Sequence, residues 1–208
     1  KLKAASPERI GVVAGDLQDA ESMKATLDLF RALGSANTDC RQDGAALGYG
    51  PREGWLFNSG LEGIEKADAV LIVGANPRFE ASVLNGRIRK AWRAAPIPIG
   101  VIGDMGDLRY DYEALGAGPE TLKDLADGNH KFASRLKKAK RPLIIVGQGA
   151  IARGDGAAIL GLAARLADQV GAVSEDWNGF SVLHTAAARV GGLDLSFVPG
   201  EGGLDAAR

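Results

Sequence analysis

The stretch "RPLIIVGQGAIARGDGAAILGLAARLADQVGA", residues 141–172, places Gly147-x-Gly149-x-x-Ala152 directly after an apolar run. Glycines at that spacing permit a tight turn and let backbone N–H groups approach a pyrophosphate at a helix N-terminus. The chemistry would be dinucleotide binding. Such a site also needs an acidic residue about 20 positions on, at the end of the next strand. Glu175 and Asp176 lie a little beyond that distance. Arg153-Gly154-Asp155-Gly156 interrupts the place where the first helical turns should run, and Asp155 suits the N-cap of a helix that begins late. The motif is therefore read as a strand turning into a helix, with nucleotide binding as the alternative.

Other reactive patterns are thinner. Gly154-Asp155-Gly156 has the form of the metal-binding opening of a thiamine diphosphate site, but no strand precedes it and only Asn178 follows where paired asparagines belong. Nucleophilic catalysis needs a nucleophile, a base and an orienting group. The only imidazoles are His130 and His184, both read as surface or packing residues. There is no Gly-x-Ser-x-Gly elbow and no His-x-x-x-His pair. Asp104 and Asp107 have the spacing of an acid–base pair, but they are read as a solvated turn. No catalytic residue and no metal ligand set is assigned.

A net charge of −1 leaves no overall electrostatic footprint for nucleic acid. Basic residues do cluster, at Arg87, Arg89, Lys90 and Arg93 and again from Lys131 to Arg141, with a single aromatic residue, Trp92 or Phe132, in each. Single-stranded nucleic acid is not expected there; a solvated face or an acidic protein partner is. Cys40 is the sole cysteine, so neither a disulfide framework nor a cysteine-ligated cluster is available. No apolar run approaches the ~20 residues that a membrane-spanning helix needs. The chain opens at Lys1 without a methionine and ends in a loop-like Gly200-Glu201-Gly202-Gly203 stretch, as a piece of a longer protein would.

The elements that must position these residues follow from periodicity. Four apolar runs end in glycine turns: 10–15, 69–74, 99–103 and 143–147. Apolar on both faces, they are expected to be parallel strands covered by helices on each side. Met23, Leu27 and Phe30, then Leu84, Ile88 and Trp92, then Ile159, Leu162, Leu166 and Val170 recur at helical spacing. Pro119 suits the first position of a further short helix. A weaker fifth strand is expected at 172–174, and 38–60 has no clear period. The fold class is α/β, a doubly wound and mainly parallel sheet, across residues 1–208 with a possible sub-lobe boundary near 140. Ligands of such sheets sit beyond the carboxyl ends of the strands. The candidate edge is therefore Gly74, Asn76, Pro77, Gly103, Asp104, Gly147 and Gly149, with the Gly15-Asp16 turn expected beside them.

One stretch is more specific. "ADAVLIVGANPRFEASVLNGRIRKAW", residues 67–92, runs strand, Gly-x-Asn-Pro, then an Arg-rich helix, and resembles the large α/β domain of molybdopterin oxidoreductases. Gly74-Ala-Asn-Pro-Arg-Phe-Glu80 followed by Asn85-x-Arg87-Ile88-Arg89-Lys90 is similar, more narrowly, to the large iron–sulfur subunits of proton-pumping NADH:quinone oxidoreductase, respiratory complex I. "AGDLQDAESMKATLDLF", "NTDCRQDGA", "GDGAAIL" and "LDLSFVPG" agree with that family in the same order. The resemblance implies a non-redox scaffold domain within an enzyme that passes electrons from NADH to quinone. It implies iron–sulfur clusters in a more N-terminal part of the parent subunit and none in this piece. It also implies neighbouring peripheral-arm subunits as partners, on the cytoplasmic face of a bacterial inner membrane or the mitochondrial matrix side, without direct membrane insertion or nucleic acid. In molybdopterin enzymes the Gly-x-Asn-Pro turn lies against the cofactor, and the next strand ends in Asp-Pro-Arg and a Thr. Here that strand is followed by Gly103-Asp104-Met105-Gly106-Asp107-Leu108-Arg109, which keeps only the Asp. A retained molybdopterin or nucleotide is the alternative reading. A thiamine-enzyme middle domain is a third, and the Asn76–Glu80 signature argues against it.

Overall fold

A computed structural model of the protein describes residues 2–206. The chain divides into two compact units: residues up to Arg52 together with those from Ala186 onward, and Glu53–Thr185. In chain order the first unit begins with β1 (Val12–Val13), α1 (Ala20–Ala32) and β2 (Thr38–Asp39). The second holds α2 (Gly60–Lys66), β3 (Ala69–Val73), α3 (Pro77–Glu80), α4 (Ser82–Ala94), β4 (Ile99–Ile102) and β5 (Glu113–Gly116). It continues through α5 (Pro119–Ala126), α6 (Lys131–Lys138), β6 (Pro142–Val146), α7 (Gln148–Ile151), α8 (Gly156–Gln169) and β7 (Phe180–Val182). The chain then returns to the first unit with α9 (Arg189–Asp194).

The second unit is built on a five-stranded sheet in the order β5-β4-β3-β6-β7, every pairing parallel. β3 and β6 lie at the centre because their residues are apolar on both faces, and all ten are buried. Successive strand residues point to opposite sides. Val70, Ile72, Ile99, Val101, Leu143 and Ile145 pack with Ile64 of α2 and with Leu84 and Ile88 of α4. On the other face, a Cβ at Gly100 would stand 2.8 Å from the Phe132 ring of α6. Helices thus cover both faces, as a doubly wound sheet requires. Pro119 is the first residue of α5, and α8 starts late with Asp155 at its N-cap position. The Asp155 carboxylate makes no cap bond; it pairs instead with Arg153 at 2.7 and 3.0 Å.

Three strand assignments change. The run at 10–15 does not join the large sheet: β1 pairs only with β2, Val12 opposite Thr38 and Val13 opposite Asp39, and Val13 is 50% exposed. Short and half-exposed, it edges a two-stranded sheet in the first unit, and the Gly15-Asp16 turn goes with it. Residues 172–174 are not a strand either, since Val173 makes only an isolated antiparallel bridge to Asn178. The strand is β7, beyond a turn, where Phe180–Val182 pair with Ile144–Val146. Its central Ser181 is fully buried and donates from Oγ to Ser59 Oγ at 3.3 Å, and that polar residue hid the strand from a search for apolar runs. β5 was also hidden, because "EALG" reads as helix and its side chains are only partly buried.

In the first unit, Asp19 caps α1 by accepting from Ser22 N at 2.8 Å and from Ser22 Oγ at 2.9 Å. Met23, Leu27 and Phe30 form the buried face of α1. The aperiodic stretch after β2 is organised by a buried ion pair. Arg41 Nε and Nη2 donate to the two carboxylate oxygens of Asp39 at 2.8 and 3.2 Å, and Nη1 donates to the Leu47 carbonyl at 2.8 Å. Cys40, between them, is buried against Gly192 of α9, where an added Cβ would come 2.8 Å from Sγ.

Two measurements check these assignments. Ile72→Ala, at the centre of β3, is expected to lower the unfolding free energy by about 2–5 kcal/mol in urea titration. Burial pushes the Cys40 thiol up from 9.0 to about 11. The folded state therefore keeps a proton that the unfolded state releases, and this contribution is full below pH 9 and lost as the pH rises toward 11. Cys40→Ala is expected to flatten stability loss across that window. Native Cys40 should resist iodoacetamide at about pH 8 and react only on unfolding.

Candidate functional site

The sheet order makes β3 and β6 the point where the chain switches from one side of the first strand to the other. In open α/β sheets the crevice beyond the carboxyl ends at such a point is where ligands bind. Here the two turns pack against each other. Gly147 N donates to the Val73 carbonyl at 2.9 Å. A Cβ on Gly147 would collide with Ala75, and one on Gly149 would stand 2.8 Å from the Gly74 carbonyl oxygen. Gly147 has an ordinary extended φ of −105°. The motif's glycines are thus required for close contact with the neighbouring turn. Gly74 and Gly103 are required for another reason: their φ values of 58° and 126° belong to the region that side chains rarely adopt.

Beside this contact is a cavity of about 340 Å³, over the ends of β3, β4 and β5. It brings together Gly74, Asn76, Gly103, Asp104 and Gly149 from the expected edge, and adds Glu80, Met105 and Arg153. Pro77 and Gly147 do not line it; Pro77 is buried as the first residue of α3. Most polar groups of the Gly-x-Asn-Pro turn are already engaged. Asn76 Nδ2 donates to the Met105 carbonyl at 3.0 Å, and Asn76 N donates to Glu80 Oε1 at 2.6 Å. Asn76 Oδ1 is buried with no partner among the described residues. Arg153 is held bidentate by Asp155, whose carboxyl group it keeps below the usual carboxylate range. Glu80 and Asp104 line the cavity together with this one guanidinium, which is already paired with Asp155.

The remaining candidates disperse. Asp107 pairs with Arg78 at 3.3 Å and with Arg109 at 3.1 Å, so it forms no acid–base couple with Asp104. His130 caps α6, its Nδ1 accepting from Phe132 N at 3.1 Å. His184 Nε2 donates to the Trp55 carbonyl at 2.6 Å, which places a proton on that nitrogen. In the Gly154-Asp155-Gly156 triplet, Asp155 turns to Arg153 while Asn178 Oδ1 accepts from Phe180 N at 3.2 Å, so no metal site assembles from them. Among the described residues no group of three or more His, Cys, Asp or Glu could hold a metal ion, and no helix is long and apolar enough to cross a membrane. Sequence reasoning missed Glu80, Met105 and Arg153. The Glu80 signal was present, since it lies in the i+4 position from Asn76 and can reach that residue's N–H.

Gly149→Ala is expected to destabilise the fold by about 1–3 kcal/mol, because the new methyl meets backbone that cannot move aside. Thermal unfolding of the variant beside wild type, with equilibrium dialysis against NADH, checks this. Loss of a stoichiometric nucleotide complex at unchanged stability would contradict it.

Comparison with known proteins agrees with this architecture. The family model for molybdopterin oxidoreductase matches residues 1–208. The mitochondrial NADH dehydrogenase [ubiquinone] iron-sulfur protein 1 of Solanum tuberosum is 45% identical over 193 residues, 93% of this chain and 26% of that protein. The G subunit of NADH-quinone oxidoreductase from Rickettsia bellii is 40% identical over 205 residues, 99% of this chain and 30% of that protein. Its Rickettsia conorii counterpart is 41% identical over 197 residues, 95% of this chain and 29% of that protein. The chain thus spans between about a quarter and a third of the length of these relatives. By its fold and by the match along its whole length, the chain belongs to the molybdopterin oxidoreductase family.

Proposed function

We propose that this chain is a non-redox scaffold domain of a complex I subunit, whose parent enzyme transfers electrons from NADH to quinone coupled to proton pumping. The observation that carries the reading is the filled switch point, where Gly147 and Gly149 pack against Ala75 and the Gly74 carbonyl. Crevice space that would admit a pyrophosphate is taken by the protein's own backbone. The neighbouring cavity does not suit an extended pterin–nucleotide anion: about 340 Å³ is at the small end for ligand pockets. Its carboxylates oppose phosphate, and its single guanidinium is committed to Asp155. Cys40 is the sole cysteine, and a cysteine-held iron–sulfur cluster needs several. Clusters of the parent subunit would be carried outside this chain. Its partners would be other peripheral-arm subunits, on the cytoplasmic or matrix side of the membrane.

A second reading has one observation in its favour. Asn76 lines the cavity, and its buried Oδ1 has no protein partner among the described residues; a retained pterin that reached it could donate to it. Elemental analysis of the full-length subunit for molybdenum and tungsten, with pterin fluorescence after acid release, separates the two. The scaffold reading expects neither metal nor pterin from a cofactor-competent host. Near-stoichiometric amounts of either would overturn it.

A further inference from the structure

One outer face of α4 has the composition of a docking seam. Val83, Gly86, Lys90 and Arg93 are exposed and spaced three, four and three residues apart, so they form one stripe along the helix. Val83 is 69% exposed, and Phe79, on the preceding turn, is 80% exposed. Further along, a surface groove of about 450 Å³ is lined by Gly86, Arg89, Lys90, Arg93 and Ala94. An exposed glycine inside a helix weakens it relative to alanine. Nothing stands within 4 Å of where a Gly86 Cβ would be, so the fold itself does not require the glycine. A backbone approaching from outside would.

Charge identifies what approaches. α4 carries Arg87, Arg89, Lys90 and Arg93 and no carboxylate. Glu65 of α2 pairs with Arg87 and with Lys90 (2.6 Å), and these cations hold its carboxyl group below the usual range. Arg89 and Arg93 form no ion pair among the described residues. One turn apart, they line the groove beside the glycine notch.

We propose that this face of α4 binds an acidic helical segment of another polypeptide. That segment would seat a backbone contact over Gly86, set carboxylates on Arg89 and Arg93, and rest apolar residues on Val83. A helix is the fitting occupant because carboxylates one turn apart on it would lie about 5–6 Å apart, matching the one-turn separation of Arg89 and Arg93 on α4. The proposal rests on the reading that the chain works inside a multisubunit enzyme.

The test uses the full-length subunit in its native assembly, with the photocrosslinker benzoylphenylalanine replacing Val83 in one sample and exposed Glu21 in another. Mass spectrometry of the joined peptides is expected to find one segment of a different subunit from Val83, carrying Asp or Glu at helical spacing. Combining the probe with Arg89→Glu and Arg93→Glu, or with Gly86→Leu, should reduce that cross-link about ten-fold or more. The purified chain with the Glu pair should keep its melting temperature, because both arginines are exposed and form no ion pair among the described residues. No cross-link above the Glu21 control in an intact assembly would overturn the proposal. So would joining to a segment without carboxylates, to lipid, or to a second copy of this chain. Failure of the wild-type subunit to purify with any other subunit would instead sink the multisubunit reading.

Discussion

The contact between the turns after β3 and β6 is the constraint on which the larger unit depends. β3 and β6 pair in parallel from Ala69 opposite Pro142 to Val73 opposite Val146. A slip of one residue would send every side chain to the wrong face. The glycines at 74, 147 and 149 let the chain leave both strands at the same level and pack turn on turn. Once that is fixed, β4 and β5 extend on one side and β7 on the other, and α8 is carried to its place by the short α7. The same contact accounts for two of the motif's glycines, because the space left by the absent side chains of Gly147 and Gly149 is taken by the neighbouring turn.

Much of this was legible in the sequence, for physical reasons. β3, β4 and β6 stand out because strands buried on both faces have no polar positions to blur the pattern. Pro119 and Asp155 mark helix starts through backbone geometry alone. The edge strands were not legible: β7 has a buried serine at its centre, and β5 is only partly buried, so neither shows an unbroken apolar run. β1 misled in the other direction, since "IGVVAG" has the composition of a central strand and lies in a two-stranded sheet.

The site was half legible. Strand-end glycines located the edge correctly, but composition cannot tell a glycine needed for its φ from one needed for space. Gly103 is of the first kind, Gly147 and Gly149 are of the second, and Gly74 is of both, since a Cβ there would also stand 2.6 Å from Ala150. In the smaller unit the sequence offered "TDCRQD" as an aperiodic loop. Its order comes from Asp39 and Arg41, two charges that shield each other from an apolar surrounding, and charge pairing leaves no periodic trace.

The smaller unit is assembled from two stretches separated by the whole of the larger one. β1, α1 and β2 emerge before the larger unit during synthesis, yet α9 and the Phe197 carbonyl that receives the Cys40 N–H emerge after it. At the usual pace of translation, the roughly 130 intervening residues delay them by on the order of ten seconds. Through that interval the apolar face of α1 and the Asp39–Arg41 pair lack their cover. The inserted unit, whose segments are contiguous, can complete first and hold the two ends of its chain, Glu53 and Thr185, in place. Closure of the smaller unit then becomes a local search by the tail, so the order of manufacture is built into the way one unit interrupts the other.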